Sequence, residues 1–183
     1  MKTGCAAIVV AAGSCSTAAA FQVEHAEAQF IEREYRFEMT AVLEAPLADV
    51  ERILRDYENY PTLDSRILEA TVIERPSPDT AMLATTLRAC FGPVCRTVRR
   101  IEEVEESPGL LVAITDPERS DVHFGETRTQ LADDAGRTRV TYLTRLRPKF
   151  WIPAFVARRL MLETLEDATI ELFKSVEKQA RGE

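Results

Sequence analysis

Residues 153–176 read PAFVARRLMLETLEDATIELFKSV. Phe155, Leu162, Leu165, Ala168, Thr169, Leu172 and Val176 recur near 3.6-residue spacing, while Glu163, Glu166, Asp167, Glu171 and Lys174 fill much of the remainder. The pattern predicts one long amphipathic helix at the C-terminus, with Pro153 suited to its first turn. Some 28 residues at about 1.5 Å each give a rod of roughly 40 Å. An apolar stripe of that length needs an equally long surface to cover.

Upstream, the chain supplies such a surface. Residues 67–75, 80–91, 94–105, 110–116, 122–132 and 137–148 are β-branched, alternating segments. The breaks between them are turn chemistry: Pro76-Ser77-Pro78-Asp79, Gly92-Pro93, Ser107-Pro108-Gly109, Asp116-Pro117 and Asp133-Asp134-Ala135-Gly136. Links this short join antiparallel neighbours. Further back, residues 34–44 read EYRFEMTAVLE, in which Tyr35, Phe37, Met39, Ala41 and Leu43 alternate with polar residues. That is a strand with one buried face. Pro46 can open a helix, and Leu47, Val50, Ile53 and Leu54 continue it at helical spacing. Asp56-Tyr57-Glu58-Asn59-Tyr60-Pro61 stops it, and a second short helical turn follows before Arg66.

The expected order is therefore strand, two short helices, six strands, long helix. This is an α+β arrangement with a curved seven-stranded antiparallel sheet. A meander of that size cannot leave its apolar face bare, and the last helix is the only large element left to cover it. A bent sheet wrapped round a helix encloses more interior than side chains easily fill, so a cavity is expected.

The bulk numbers agree with one soluble domain. The chain has 183 residues, 45% hydrophobic and 29% charged, with a formal net charge of −7. That composition speaks against disorder, and the acidic balance speaks against nucleic-acid binding.

Three segments resemble the START-like superfamily, which includes polyketide cyclases, coenzyme Q-binding proteins and lipid-transfer domains. Ala45-Pro46-Leu47-Ala48-Asp49-Val50 is similar to the opening of its first helix. Arg55-Asp56-Tyr57-Glu58-Asn59-Tyr60-Pro61 resembles the segment between its short helices, and Gly136 to Tyr142 resembles its final strand. The likeness covers about residues 34–180. It implies a helix-grip (START/Bet v 1-like) fold and a hydrophobic small molecule, such as a lipid, quinone or polyketide, held between sheet and helix. It does not imply catalysis, because one fold hosts carriers and enzymes alike. Many members carry a Trp shortly after a Gly in the penultimate strand. Here Gly125 is followed at that spacing by Thr127, which implies a roomier or more polar interior at that point.

The N-terminus reads as a leader. Lys2 precedes an apolar run, CAAIVVAA at residues 5–12, and then small residues through Ala18-Ala19-Ala20. This is the pattern of a secretory signal peptide, and the run is too short to span a bilayer. Cleavage before Phe21 is one candidate; cleavage after Ala26 or Ala28 gives two later ones. Residues 1–28 are assigned to the leader and a short extension, and residues 29–183 to the domain. The location implied is periplasmic or secreted. The alternative is an N-terminal extension of a cytosolic protein. Lipid anchoring on Cys15 is disfavoured, because Ala12-Gly13-Ser14-Cys15 lacks the usual Leu at its first position.

Cys90 and Cys95 bracket a tight turn between two strands, where cross-strand neighbours lie at about disulfide distance. They form either a disulfide or two reduced, buried thiols. Only His25 and His123 are present and there is no second Cys pair, so neither a metal site nor a cofactor is expected.

Alternation and helical spacing select the cavity candidates: Phe37, Met39, Leu83, Thr85, Leu87, His123, Thr127, Val140, Tyr142, Phe155, Leu162, Leu165 and Thr169. A plain core would use mostly the same residues. His123 is read as facing inward with Gly125 and Thr127. No Ser/His/Asp set has recognisable spacing, and no catalytic residue is assigned. A second constellation joins Phe150, Trp151, Arg158 and Arg159 at the start of the last helix. Aromatic residues among cations suit an anionic membrane interface. The competing reading is a Trp that caps the helix while the cations pair with nearby acids. The leading function is thus an exported carrier of a hydrophobic small molecule. The alternatives are an aromatase/cyclase-type enzyme and an interaction module with a filled core. The sequence leaves the oligomeric state open.

Overall fold

The computed structural model describes residues 21–91, 94–150 and 154–183; at residues 91, 94 and 154–158 it describes the backbone. Eight strands form one antiparallel sheet: β1 (Gln22–Ile31), β2 (Glu34–Leu43), β3 (Ile67–Ser77), β4 (Thr80–Phe91), β5 (Val94–Ser107), β6 (Leu110–Thr115), β7 (Val122–Asp134) and β8 (Arg137–Pro148). Their spatial order is β1-β2-β8-β7-β6-β5-β4-β3. Two short helices, α1 (Leu47–Arg55) and α2 (Tyr60–Leu63), are separated by a 3-10 turn at Tyr57–Asn59 and carry the chain from β2 to the far edge. The long helix α3 (Ala154–Ala180) closes the fold.

The helix-grip architecture and the final helix are as expected, with one strand more than the seven foreseen. The addition is β1, in the segment read as leader and extension. It pairs with β2 from Gln22↔Val42 to Ile31↔Glu34. A two-residue turn with Glu32 and Arg33 both at positive φ joins them, which gives the twist a tight hairpin needs. At the tip of the next long hairpin Cys90 and Cys95 are register partners and are joined by a disulfide, with Cα atoms 4.0 Å apart.

The main core lies beneath the C-terminal half of α3. Phe173 and Val176 are fully buried there against Phe37, Met39, Ala41 and Leu43 of β2 and Val140 of β8. Glu177, also buried, accepts the backbone N–H of Phe21 at 3.1 Å on one carboxylate oxygen and that of Glu44 at 2.8 Å on the other. One carboxylate thereby satisfies two backbone donors that would otherwise be costly to bury. Nearer the start of α3, Met161 is buried against Tyr35, with Phe30, Leu146 and Phe150 around them. The middle of the helix, at Leu165, Ala168 and Leu172, is only half-buried. The cavities lie here.

Candidate functional site

Two cavities lie between α3 and the sheet. The first, about 260 Å³, is floored by β4 to β8 and walled by α1, α2 and α3. The second, about 170 Å³, lies toward Phe150, Val122 and Met161. Asp64, Leu87, Arg100, Leu165 and Ala168 border both, so the two are adjacent.

Much of the wall is apolar: Ile67, Leu83, Val104, Leu111, Leu165 and Leu172 contribute. Its polar groups come from three places. The Tyr57-to-Tyr60 turn supplies two tyrosines whose ring centroids lie 5.6 Å apart. Tyr57 donates its hydroxyl to Glu106 at 3.0 Å, and Tyr60 donates to the Leu54 carbonyl at 2.6 Å. Strand β5 supplies Arg100 and Glu102, which are bonded to each other; Thr115 also donates to Glu102, at 3.2 Å. On β7 and β8, the Thr127 and Thr144 hydroxyls lie 3.0 Å apart, next to Tyr142. Burial raises the ionisation of Tyr57, Tyr60 and Tyr142 above the ordinary phenol range, with Glu106 reinforcing the effect at Tyr57. All three are therefore neutral hydroxyls at physiological pH. Thr85 projects a buried hydroxyl that has no hydrogen-bond partner within the protein.

Arg66 forms a strap over the junction of the two cavities. It is held by Asp64, with Nε 2.8 Å from one carboxylate oxygen, and donates Nη2 to the Ala168 carbonyl at 3.1 Å. The loop after α2 is thereby pinned to the middle of α3.

Of the residues chosen from the sequence, Leu83, Thr85, Leu87, Thr127, Tyr142, Leu165 and Thr169 border the first cavity. Phe37, Met39 and Val140 instead pack in the main core under Phe173. Leu162 packs partly buried beside Met161 and Tyr35. His123 does not face inward. A bulge between Val122 and Phe124 turns it to solvent and puts Val122 into the second cavity instead. Phe150 lines the second cavity with the Arg96 guanidinium 5.6 Å from its ring centre, and Arg159 is exposed beside Glu163. Trp151 and the side chains of Phe155 and Arg158 fall outside the described residues. The sequence reading missed Tyr57, Tyr60, Arg100 and Glu102. On β5 the inward positions are Val98, Arg100, Glu102, Val104 and Glu106, which no hydrophobicity count marks as an inner face. Both tyrosines do lie in the resemblance motif. Among the described residues no cluster of His, Cys, Asp or Glu is arranged to hold a metal, and no helix is long and apolar enough to cross a membrane.

A family model described as "Polyketide cyclase / dehydrase and lipid transport" matches residues 34–175. The chain belongs to this family. It also has the START-like fold. An aromatase/cyclase from Streptomyces matches with a TM-score of 0.68 at 13% identity, over 81% of this chain and 94% of that one. A Thermus thermophilus protein matches at 0.66 with 20% identity, over 81% and 97%. A STAR-related lipid transfer protein from Xanthomonas axonopodis matches at 0.61 with 16% identity, over 85% and 98%. At these identities the likeness is one of fold. No curated protein sequence matches the chain.

Proposed function

We propose that this polyketide cyclase/lipid-transport family member is an exported binding or carrier protein for a hydrophobic small molecule held between the sheet and α3. The two adjacent, largely apolar cavities under the middle of the helix are the observation that carries this reading. Their volumes together fall within the roughly 300–1,000 Å³ of typical small-molecule sites. The unpartnered Thr85 hydroxyl and the Tyr142–Thr127–Thr144 group offer hydrogen bonds to a ligand's polar end, and the wall takes its hydrocarbon part at roughly 0.8 kcal/mol per methylene. The leader pattern and the Cys90–Cys95 disulfide support an oxidising, extracytoplasmic location. The sequence constellation of Phe150, Trp151, Arg158 and Arg159 is proposed to touch an anionic membrane during ligand exchange.

A cyclase-type enzyme is the second reading, favoured by Arg100, Glu102 and Tyr142 on the cavity wall, since ring closure needs proton donors and acceptors at the reacting atoms. Native mass spectrometry and solvent extraction of freshly purified protein test the carrier. A lipid-like molecule bound one to one is expected. Protein that emerges empty and takes up none of a panel of fatty acids, quinones and phospholipids would refute it.

A further inference from the structure

We infer that the chain is matured by cleavage between Ala20 and Phe21, and that the new α-ammonium of Phe21 forms an ion pair with buried Glu177. The inference rests on the export reading and adds to it the site of processing and the group that receives the new terminus.

Phe21 is fixed at both its ring and its nitrogen. The ring packs against the main core, and the nitrogen lies 3.1 Å from Glu177 Oε1. Ala18-Ala19-Ala20 directly precedes it, with the small residues a signal peptidase requires. In the precursor this nitrogen is an amide with one hydrogen and no charge. Hydrolysis of the Ala20–Phe21 bond consumes one water, leaves a carboxylate on Ala20 and makes the Phe21 nitrogen a cation with three donors. A hydrogen bond from an uncharged donor to a buried carboxylate becomes an ion pair between an ammonium and that carboxylate.

The later candidate sites do not suit the fold. Cleavage after Ala26 or Ala28 removes Phe21 from the core together with the strand positions that pair Gln22↔Val42, Val23↔Ala41, His25↔Thr40 and Ala26↔Met39. It also leaves Glu177 Oε1 with only the Arg181 guanidinium, 3.9 Å away.

Charged side chains stand on each of the elements around the nitrogen. Arg181 lies on α3, the pair Glu44 and Arg137 on the β2 and β8 side, and Glu24 with Arg139 on the β1 edge. An α-amino group has an ordinary value of about 7.7–8.0, apart from the ordinary ranges of carboxylates, guanidiniums and lysines. Pairing with Glu177 raises its value in the folded protein. The added stability is full below about pH 7.7 and is lost as pH rises through the raised value.

The test is expression of the full chain, leader included, in an exporting bacterium. Intact mass and N-terminal sequencing should give a chain beginning at Phe21 in the periplasm or medium. Thermal unfolding from pH 6 to pH 10 should show a loss of stability between about pH 8 and pH 9.5, absent from Glu177→Gln and from a chain carrying two extra residues before Phe21. An exported protein beginning elsewhere overturns the inference and leaves export standing. An uncleaved intracellular protein overturns both. A Phe21 terminus with the same pH profile in all three proteins overturns the ion pair.

Discussion

Ala168 borders both cavities, and its carbonyl is held by Arg66. Ala168→Phe places a phenyl ring at the junction of the 260 Å³ and 170 Å³ spaces. The ring displaces roughly four methylenes of a bound chain, each worth about 0.8 kcal/mol, so binding weakens by about 3 kcal/mol, or somewhat more than a hundredfold. Stability moves little, because the ring enters existing space; in a filled interior the same change costs about 1–3 kcal/mol in strain. The assay pairs a fluorescence titration with anilinonaphthalene sulfonate, and with any molecule recovered by extraction, with urea unfolding of wild type and variant. Loss of binding with an unchanged midpoint is expected. Unchanged affinity places the ligand elsewhere. A large fall in the midpoint means the space under the helix does not exist, and the carrier reading falls with it.

Glu102→Leu leaves the Arg100 guanidinium without its partner in the cavity wall, at a cost of roughly 3–5 kcal/mol, and adding Arg100→Met recovers most of it; urea midpoints that simply add across the double-mutant cycle would show that the pair is uncoupled. Tyr57, Tyr60 and Tyr142 hold their protons more tightly folded than unfolded, so stability declines as pH rises above about 10. In a spectrophotometric titration these three should ionise only with unfolding, and ionisation near 10 with the fold intact contradicts their burial. The mature protein should float with anionic vesicles and the Trp151→Ala, Arg158→Glu double variant should not; equal flotation removes the membrane-contact proposal.

The parts of the fold that follow from period alone were legible. Residues 34–44 alternate cleanly because β2 has one face on the core and one outside, and α3 shows its stripe for the same reason. Strand β1 was not, because its inward apolar residues, Ala26, Ala28 and Phe30, are mostly small and sit in a stretch that also resembles the end of a leader. His123 was misplaced because a bulge between Val122 and Phe124 shifts the face by one residue. The cavity was legible from the order of elements, but not which residues line it. Leu83 on its wall and Phe37 in the solid core are the same kind of residue in the same kind of pattern. What separates them is how far α3 stands off the sheet, a distance set by contacts from many strands.

Those contacts can be named. Helix α3 is clamped at two places, by Phe173, Val176 and Glu177 toward its end and by Met161 against Tyr35 nearer its start. Arg66 adds a third hold at mid-span through the Ala168 carbonyl. Beneath that span the floor includes the short side chains of Thr85, Ala113, Thr127 and Thr129, interspersed with longer ones such as Leu83, Leu87 and Tyr142. Under the clamped end it presents Phe37 and Met39, which do reach it. The void lies between the two clamped ends of the helix, where short residues interrupt the floor. Empty, that void forfeits dispersion contacts along its whole lining, and a hydrocarbon occupant restores them. The short floor residues thereby add room for that occupant.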